Sequence, residues 1–320
     1  MAVIKNGISK KAYFFSFIAI IIVTIFVVTF SNLFTTVHVS EIDATDVQAE
    51  LLNNFVKEIK ESYVPTILFT SAKASILTML KDKSSIESVG NVREEINEMM
   101  FLGTFNGAEA PLLDNNTLDY WKDKLITSSE KLHIITDIVF GEAEIKQKDA
   151  WTLEIIVPIN LTAQRSSNMF FDIQFNGTAE IPITQFIDPL FLRNLDERKR
   201  INKSAILSFD SIDDVQQFFD EGSYIMQSTG SSFLQRLEGR TVSGGAKGIQ
   251  SFINNPALLG NREVAYVDNL YFAERGCVDN QIYHVDPPFT PAGFYLDLEH
   301  ILKYNITEYS IYACGVPEGG

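Results

Sequence analysis

Few side chains in this 320-residue sequence have the types and spacing that chemistry requires. Near the C-terminal end, carboxylate and imidazole groups that could hold a divalent cation occur close together: His284, Asp286, Asp297, Glu299 and His300. Carboxylates that alternate with apolar residues, as in FYLDLEHIL, are more typical of an amphipathic surface segment. We therefore predict neither a metal site nor a cofactor.

Motifs for nucleophilic or phosphate chemistry are incomplete. Ser128 and Lys131 match S-x-x-K, but the companion motifs of that class are missing from the sequence. The glycine-rich stretch SGGAKG (243–248) has no Ser or Thr directly after Lys247, so it is typical of a flexible turn and not of a Walker loop. We predict that the chain is not an enzyme. A surface-tethered hydrolase stays open as a hypothesis, because carboxylate pairs leave no sequence motif.

The net charge excludes one class of partner, and the mean hydropathy indicates that the apolar residues are unevenly distributed. The net charge is −15, so phosphates would be repelled, and we predict no nucleic-acid partner. The mean hydropathy of +0.05 is high for an acidic chain, which indicates that apolar residues are concentrated in one segment.

That segment lies near the N-terminus. Residues 12–40 contain no Lys, Arg, Asp or Glu, and the apolar segment 13–34 within them has 22 residues. A helix of that length is about 33 Å long, which suffices to cross a hydrocarbon core about 30 Å thick. Lys5, Lys10 and Lys11 precede the segment, so the positive-inside rule places the N-terminus in the cytoplasm. We predict a single-pass protein of the cell membrane, bound to the lipid bilayer through residues 13–34, with the bulk of the chain extracytoplasmic.

A cleaved secretory signal peptide is the alternative interpretation of this segment. Its apolar region is usually about 7–15 residues long and ends in a small-residue cleavage site, neither of which fits this sequence. Beyond the segment, 23 basic residues stand against 41 acidic ones. That net charge of −18 is typical of a soluble surface that does not adhere to anionic headgroups.

Two kinds of covalent modification are predicted for the exported part. Cys277 and Cys314 are the only cysteines, and an oxidising space favours a disulfide, with an effect on the order of 3–4 kcal/mol. Zinc ligation with His284 and His300 is the alternative, although these residues include no closely spaced pair. Five sequons make the chain a candidate glycoprotein, although ordinary turn and strand asparagines fit about equally well: Asn115, Asn160, Asn176, Asn202 and Asn305.

The predicted fold class is α+β, with an N-terminal transmembrane helix and an amphipathic stalk helix before an exported domain, in which helices flank a small antiparallel sheet. The predicted regions are a cytoplasmic basic segment (1–12), the transmembrane helix (13–34), stalk helices (40–82), an α+β domain with the antiparallel sheet (90–195) and a second α+β region (204–320).

The stalk has an apolar stripe at helical spacing, formed by Ala44, Val47, Leu51, Phe55, Ile59 and Tyr63. Either the protein's own domain or neighbouring copies would cover it, and Pro65 is expected to kink or interrupt the helix. Further helices are predicted at 91–102 and 117–132, and strands between 133 and 187. In the last third, helices are predicted for IDDVQQFFDEG, SSFLQRLEG and AKGIQSFINN, and strands for VAYVDNLYF, QIYHV and SIYAC.

The sequence resembles archaeal type IV pilin-like proteins with a class III signal peptide. The likeness rests on the short basic N-terminus with Lys10, Lys11 and Ala12, followed by an uncharged helix from Tyr13 and a stalk. It implies signal processing after Ala12 and an assembly role for the apolar helix. The anchor, QFIDPLFLRN (185–194) and SSFLQRLEG (231–239) also resemble uncharacterised archaeal membrane-anchored surface proteins.

These observations predict a membrane-anchored extracytoplasmic surface protein with a structural, assembly or adhesion role. A pilin-like subunit is one version of this prediction. Homo- or hetero-assembly would then use the N-terminal helix. The alternative is an exported ligand-binding or sensor module that acts through a partner protein.

Overall fold

The computed structural model describes residues 44–166, 168–206, 209, 211–253, 265–272, 282–285, 294–307 and 310–312. Within these ranges the chain is a mixed α+β protein with a small antiparallel sheet and flanking helices, which confirms that part of the predicted fold class. No helix in the same ranges combines the length and apolar character needed to cross a bilayer. The predicted cytoplasmic segment and membrane helix (1–34) and both cysteines lie outside the described residues.

The α-helices of the described ranges are α1 (Ala44–Glu58), α2 (Val64–Met79), α3 (Lys83–Glu87), α4 (Val92–Leu102), α5 (Leu118–Glu130), α6 (Pro189–Leu195), α7 (Ile212–Glu221), α8 (Phe233–Leu237), α9 (Asp268–Phe272) and α10 (Leu298–Lys303). The strands are β1 (Thr104–Phe105), β2 (Ala108–Glu109), β3 (Ile135–Phe140), β4 (Glu144–Asp149), β5 (Thr152–Ser166), β6 (Met169–Pro182), β7 (Ile225–Met226), β8 (Ile249–Gln250), β9 (Phe252–Ile253), β10 (Ala265–Val267), β11 (Ile282–Val285), β12 (Phe294–Asp297) and β13 (Ser310–Tyr312). Contacts divide the chain into two compact units, Met1–Asn53 and Asn54–Gly320.

The interruption predicted at Pro65 takes the form of one π-helical turn, Ile59–Tyr63, between α1 and α2. Proline lacks an N–H, and its ring crowds the carbonyl four residues earlier. Pro65 is the second residue of α2, and the wider π turn directly before it makes room for the ring.

The apolar stripe of the predicted stalk is covered to different extents along its length. Val47, in the first unit, is 53 % exposed. In the second unit Phe55 and Tyr63 are half-buried and Ile59 is 2 % exposed. The Tyr63 hydroxyl donates a hydrogen bond to the Trp121 carbonyl oxygen at 2.5 Å. Within the second unit, the protein's own domain therefore covers this end of the stripe.

The antiparallel sheet is built around β5. β6 pairs with β5 from Thr152–Pro182 to Ser166–Met169, whereas β3 and β4 share the other side of β5. Alternate residues of β5 from Leu153 to Ala163 are buried, because a strand directs successive side chains to opposite faces. Helix α2 packs on this inner face, where Val64 approaches Gly177 of β6.

The second sheet has the order β13-β11-β12-β10-β9, with β10 and β12 parallel and the other neighbours antiparallel. Aromatic side chains form much of the core beside it, including Phe218, Phe252 and Tyr304, each 0 % exposed. Packing among these rings joins α7, β9 and the turn after α10.

Two sequence predictions for this region are wrong. AKGIQSFINN (246–255) was expected to be helical, but it contains part of a 3-10 turn followed by β8 and β9, because β8 pairs with β7 and β9 pairs with β10. VAYVDNLYF (264–272) was expected to be one strand. The strand ends at Val267, and helix α9 begins at the next residue, Asp268, whose side chain is buried.

Candidate functional site

The most unusual group of side chains is a buried ion cluster, which we define as Asp188, Lys199, Arg236 and Asp268. The side chains of Asp188, Arg236 and Asp268 are 0 % exposed. Arg236 Nη1 donates to Asp188 Oδ2 at 2.6 Å, and Nη2 donates to Asp268 Oδ2 at 3.0 Å and to the Ile249 carbonyl oxygen at 2.6 Å. One guanidinium group therefore connects two carboxylates and a strand.

Helix starts position the first ion pair of this cluster. Asp188 is the N-cap of α6, where its Oδ1 accepts a hydrogen bond from the Leu190 N–H at 2.8 Å. Arg236 lies on α8, which begins with a capping box formed by Ser232 and Gln235. Because both helix starts are fixed by local hydrogen bonds, the carboxylate and the guanidinium are held at defined places.

Asp268 links the cluster to the second sheet. It directly follows β10, and its Oδ2 also accepts a hydrogen bond from the Ser251 N–H at 3.1 Å. Burial raises the pKa of the Asp268 carboxyl, and this effect exceeds the opposite one of the Arg236 guanidinium. Burial lowers the pKa of Arg236, but the two carboxylates outweigh it and raise that pKa above its ordinary value. Arg236 therefore stays charged.

Lys199 supplies the second positive charge. The residue is partly exposed, but its ammonium is directed inward, where it donates to Ser251 Oγ at 2.8 Å and to the Phe252 carbonyl oxygen at 2.7 Å. It also lies 4.5 Å from the ring centroid of Phe191. Burial lowers the pKa of Lys199 to about 8, although nearby carboxylates, Asp268 first among them, act in the opposite direction.

By distance alone, Lys199 and Ser251 resemble a Ser-Lys nucleophile pair. Ser251 is 0 % exposed, however, and its Oγ lies 2.7 Å from the Ser223 carbonyl oxygen, to which it donates. A substrate has no access to this hydroxyl in the described structure. The pair thus holds main-chain segments together.

Two cations and two anions give the cluster a balanced formal charge. Such buried groups contribute little net stability compared with apolar residues, but the loss of one partner leaves an uncompensated charge in the interior. Since its members come from α6, the segment after it, α8 and α9, the cluster fixes these segments relative to one another.

We predict that Lys199 makes stability depend on pH in the alkaline range. The folded pKa is about 8 and the ordinary value is 10.5, so between these values the unfolded chain binds more protons. The free energy of unfolding contributed by this group therefore rises with pH. Urea denaturation measures the free energy of unfolding of each protein. The value for wild type minus the value for Lys199→Met should increase from pH 8 to pH 10. Lys124→Met, at an exposed site, is measured in parallel as the control. If the difference for Lys199→Met changes with pH no more than the difference for this control, the assignment is contradicted.

A second polar network lies at the start of α10. His300, 1 % exposed, has Nδ1 2.5 Å from Asp297 Oδ1 and Nε2 2.8 Å from Gln250 Oε1. Gln250 Nε2 in turn donates to the Tyr304 hydroxyl at 3.1 Å. Burial alone would raise the pKa of Asp297, but hydrogen bonds from His300 outweigh it and lower that pKa. Asp297 is also the N-cap of α10, so the network fixes this helix to β8.

The candidate metal ligands are separated in the described residues, where no three such side chains come together at a common point. Asp297 and His300 bind each other, whereas Glu299 accepts hydrogen bonds from a glutamine and a serine of the loop after β7. His284 lies in β11, and Asp286 lies outside the described residues.

The other motifs lie on the surface or in a turn. Ser128 and Lys131 are exposed at the C-terminal end of α5. The glycine-rich stretch forms the 3-10 turn Gly245–Lys247, and the following Gly248 is packed so tightly that a Cβ there would lie 2.2 Å from the Gly230 carbonyl oxygen. Close contact between main chains, and not a phosphate cradle, explains the glycine at 248.

All five sequon asparagines are exposed: Asn115, Asn160, Asn176, Asn202 and Asn305. Asn160 and Asn176 lie on neighbouring strands on the outer face of the first sheet. In the sequon of Asn202, by contrast, the hydroxyl residue Ser204 is only 6 % exposed. Of the five sequons, only that of Asn202 therefore has a buried hydroxyl residue.

The ion cluster was missed at the level of sequence. Its signal was a charge between apolar residues, Asp188 within FIDPLFL (186–192) of QFIDPLFLRN and Arg236 within FLQRL (233–237) of SSFLQRLEG. These are two of the three segments on which the second resemblance rested, the anchor being the third, and Asp188 and Arg236 of these two segments lie 2.6 Å apart. Comparison with known protein families, curated proteins and solved structures finds no match to the chain.

Proposed function

We propose that the chain is a single-pass membrane-anchored extracytoplasmic surface protein with a structural, assembly or adhesion role. The observation that carries the proposal is the uncharged 22-residue segment Tyr13–Phe34, which has the length to cross a bilayer. The lysines before it and the acidic chain after it favour a cytoplasmic N-terminus and an external body, by which we mean the chain after residue 34.

Two features of the folded body support a surface role. Three of the four side chains of the ion cluster, those of Asp188, Arg236 and Asp268, are 0 % exposed, and the cluster joins segments of the fold, so its role is structural. The sequon asparagines are exposed, as acceptors for N-glycosylation have to be. Neither feature depends on a bound ligand.

The finer version of the proposal is a pilin-like subunit that is processed after Ala12 and assembles through residues 13–34. Intact-mass measurement of the purified protein should then give an N-terminus at Tyr13. A mass that begins at Met1 would contradict the pilin-like version and leave the anchored protein in place.

Extraction of membranes with alkaline carbonate tests the anchor itself. We expect the wild-type chain to remain in the membrane pellet, because the apolar segment is integral. The double variant Ile22→Lys with Phe26→Lys should leave the pellet, since each charge at the centre of a span costs about 2.5–3.5 kcal/mol. Ile22→Leu with Phe26→Leu is the matched control and should behave as wild type. Release of the wild-type chain would overturn the proposal.

A further inference from the structure

Strand β6 forms an edge of the first sheet. Within the part of the chain that the structure describes, it pairs with β5 and with no other strand. It has 14 residues, and its register with β5 is unbroken from Phe170 to Pro182. Folded proteins usually protect an edge with a short strand, a bulge, a lysine or a proline. β6 contains no Lys or Arg, and its one proline is its last residue.

Alternate main-chain groups of β6 are directed away from β5. The Ile183 N–H donates to the Trp151 carbonyl oxygen at 2.9 Å, in continuation of the pairing between β5 and β6. Because hydrogen-bonded residues alternate along an antiparallel strand, the odd-numbered residues of β6 bond to β5 and the even-numbered ones direct N–H and C=O outward. In the described ranges, no further main-chain hydrogen bond reaches residues 170, 172, 174, 176, 178 and 180. We call this row of outward groups the β6 edge.

The inner face of the first sheet is less covered at β6 than at β5. Leu161 and Ala163 of β5 are 0 % exposed. Ile173 and Phe171, which lie directly opposite them in β6, are only half-buried, and so is Phe175. Apolar side chains beside the β6 edge therefore remain partly open to solvent.

Farther along the strand, helix α2 and the β6 edge enclose an open groove. Pro65, Thr66 and Phe69 of the helix line one side, and residues 178–180 of the strand line the other. Side chains of a strand alternate between the two faces of the sheet. A strand added to the β6 edge would therefore place one of its inner-face side chains in this groove, against the flank of α2.

We propose that a second copy of this chain pairs with the β6 edge, β6 against β6 in antiparallel orientation across a two-fold axis. The outward N–H and C=O groups are the donors and acceptors that an added strand needs. A two-fold axis brings the same surface together from both copies, so the two first sheets become one continuous sheet. All residues of this surface belong to the second unit. The pairing goes beyond the proposed function, since it involves only the folded body and does not require the anchor.

The acidic residues of β6 select one register for this pairing. Even-numbered residues must lie opposite even-numbered ones for the hydrogen bonds to form, and two registers then pair nearly the whole strand. One has its axis at Asn176 and sets Asp172 opposite Glu180 of the second copy, which brings like charges together. The other has its axis at Phe175 and sets Asp172 opposite Thr178. The register centred on Phe175 is therefore favoured.

In the favoured register, the apolar side chains of one copy meet open surface of the other. Phe171 of the second copy lies opposite Ala179 on the inner face, and its ring enters the groove beside Pro65 and Phe69. The two Phe175 side chains form a cross-strand aromatic pair at the axis. The pairing thus covers side chains that a single copy leaves half-buried.

A proline at the β6 edge tests the pairing in the full chain. Gln174→Pro removes an N–H that is directed outward, which an edge strand tolerates, but a second strand can no longer bond to it. In detergent, light scattering corrected for bound detergent should give wild type twice the 36.0 kDa of one chain. Gln174→Pro should have half the wild-type mass. Gln174→Ala is the matched control, because it keeps the N–H, and it should have the wild-type mass.

A wild-type mass of one chain, or a Gln174→Pro mass equal to that of wild type, would overturn the pairing. Engineered cysteines decide the case in which Gln174→Pro loses its cooperative unfolding transition. Phe175→Cys should form a disulfide-linked dimer on oxidation, since opposite residues of a non-hydrogen-bonded pair lie about 4.5 Å apart. Asn176→Cys, displaced from the axis, should give no more linked dimer than wild type. Failure of Phe175→Cys to link above the Asn176→Cys level would then overturn the pairing.

Discussion

Replacement of Arg236 by methionine is expected to lower the free energy of unfolding by about 3–5 kcal/mol. The substitution keeps an unbranched apolar stem but removes the hydrogen bonds to Asp188, Asp268 and the Ile249 carbonyl oxygen. Two carboxylates would remain in the interior with only the Lys199 ammonium nearby. Urea denaturation of the full chain in detergent measures the loss.

Two controls make this result specific to the cluster. Arg240→Met removes an arginine that is about half exposed and pairs with Glu238, so it should change the free energy of unfolding by no more than about 0.5 kcal/mol. Arg236→Lys keeps the charge but loses the planar fork of donors. Its loss in the free energy of unfolding should therefore lie between those of Arg236→Met and Arg240→Met. Equal losses for Arg236→Met and Arg240→Met would contradict the structural role of the cluster.

Replacement of Gly248 by alanine is expected to cost about 1–3 kcal/mol or more, because the added methyl group has nowhere to go. Its Cβ would lie 2.2 Å from the Gly230 carbonyl oxygen and 2.3 Å from that of Gln227. Both are main-chain atoms, which cannot move aside as a flexible side chain would. The Gln227 N–H also donates to the Gly248 carbonyl oxygen at 3.0 Å, so displacement would weaken that hydrogen bond as well.

Thermal unfolding of the full chain checks this second prediction against Gly90→Ala. A Cβ at Gly90 would meet no atom within 4 Å, so that substitution should be neutral or slightly stabilising, since alanine restricts the unfolded chain. A Gly248→Ala midpoint equal to that of Gly90→Ala would show that the stretch 243–248 is a loose turn, as the sequence alone had indicated.

Periodic segments of the sequence were predictable because one physical pattern dominates each of them. Alternation in WTLEIIVPINLTAQ predicted a half-buried strand, and β5 has that pattern of burial. Ser211 and Asp214 predicted the start of a helix, and they form the capping box of α7. In such segments local propensity and tertiary burial favour the same structure.

The ion cluster could not be predicted, because it depends on contacts between residues far apart in the sequence. Asp188 and Arg236 are separated by 48 positions, and Asp268 lies 32 positions further on. Local pattern also failed around Gly248, where AKGIQSFINN has helical composition but tertiary pairing imposes strands. Tertiary packing overrides propensity in short segments of this kind.

The central claim, a body anchored outside the membrane, is tested most directly by labelling intact cells with a membrane-impermeant amine reagent and mapping the modified lysines by mass spectrometry. We predict that exposed lysines of the body, such as Lys57 and Lys124, are labelled in intact cells. Lys5, Lys10 and Lys11, where they are retained, should react only after the cells are opened. Labelling of Lys57 and Lys124 only in opened cells would contradict the account.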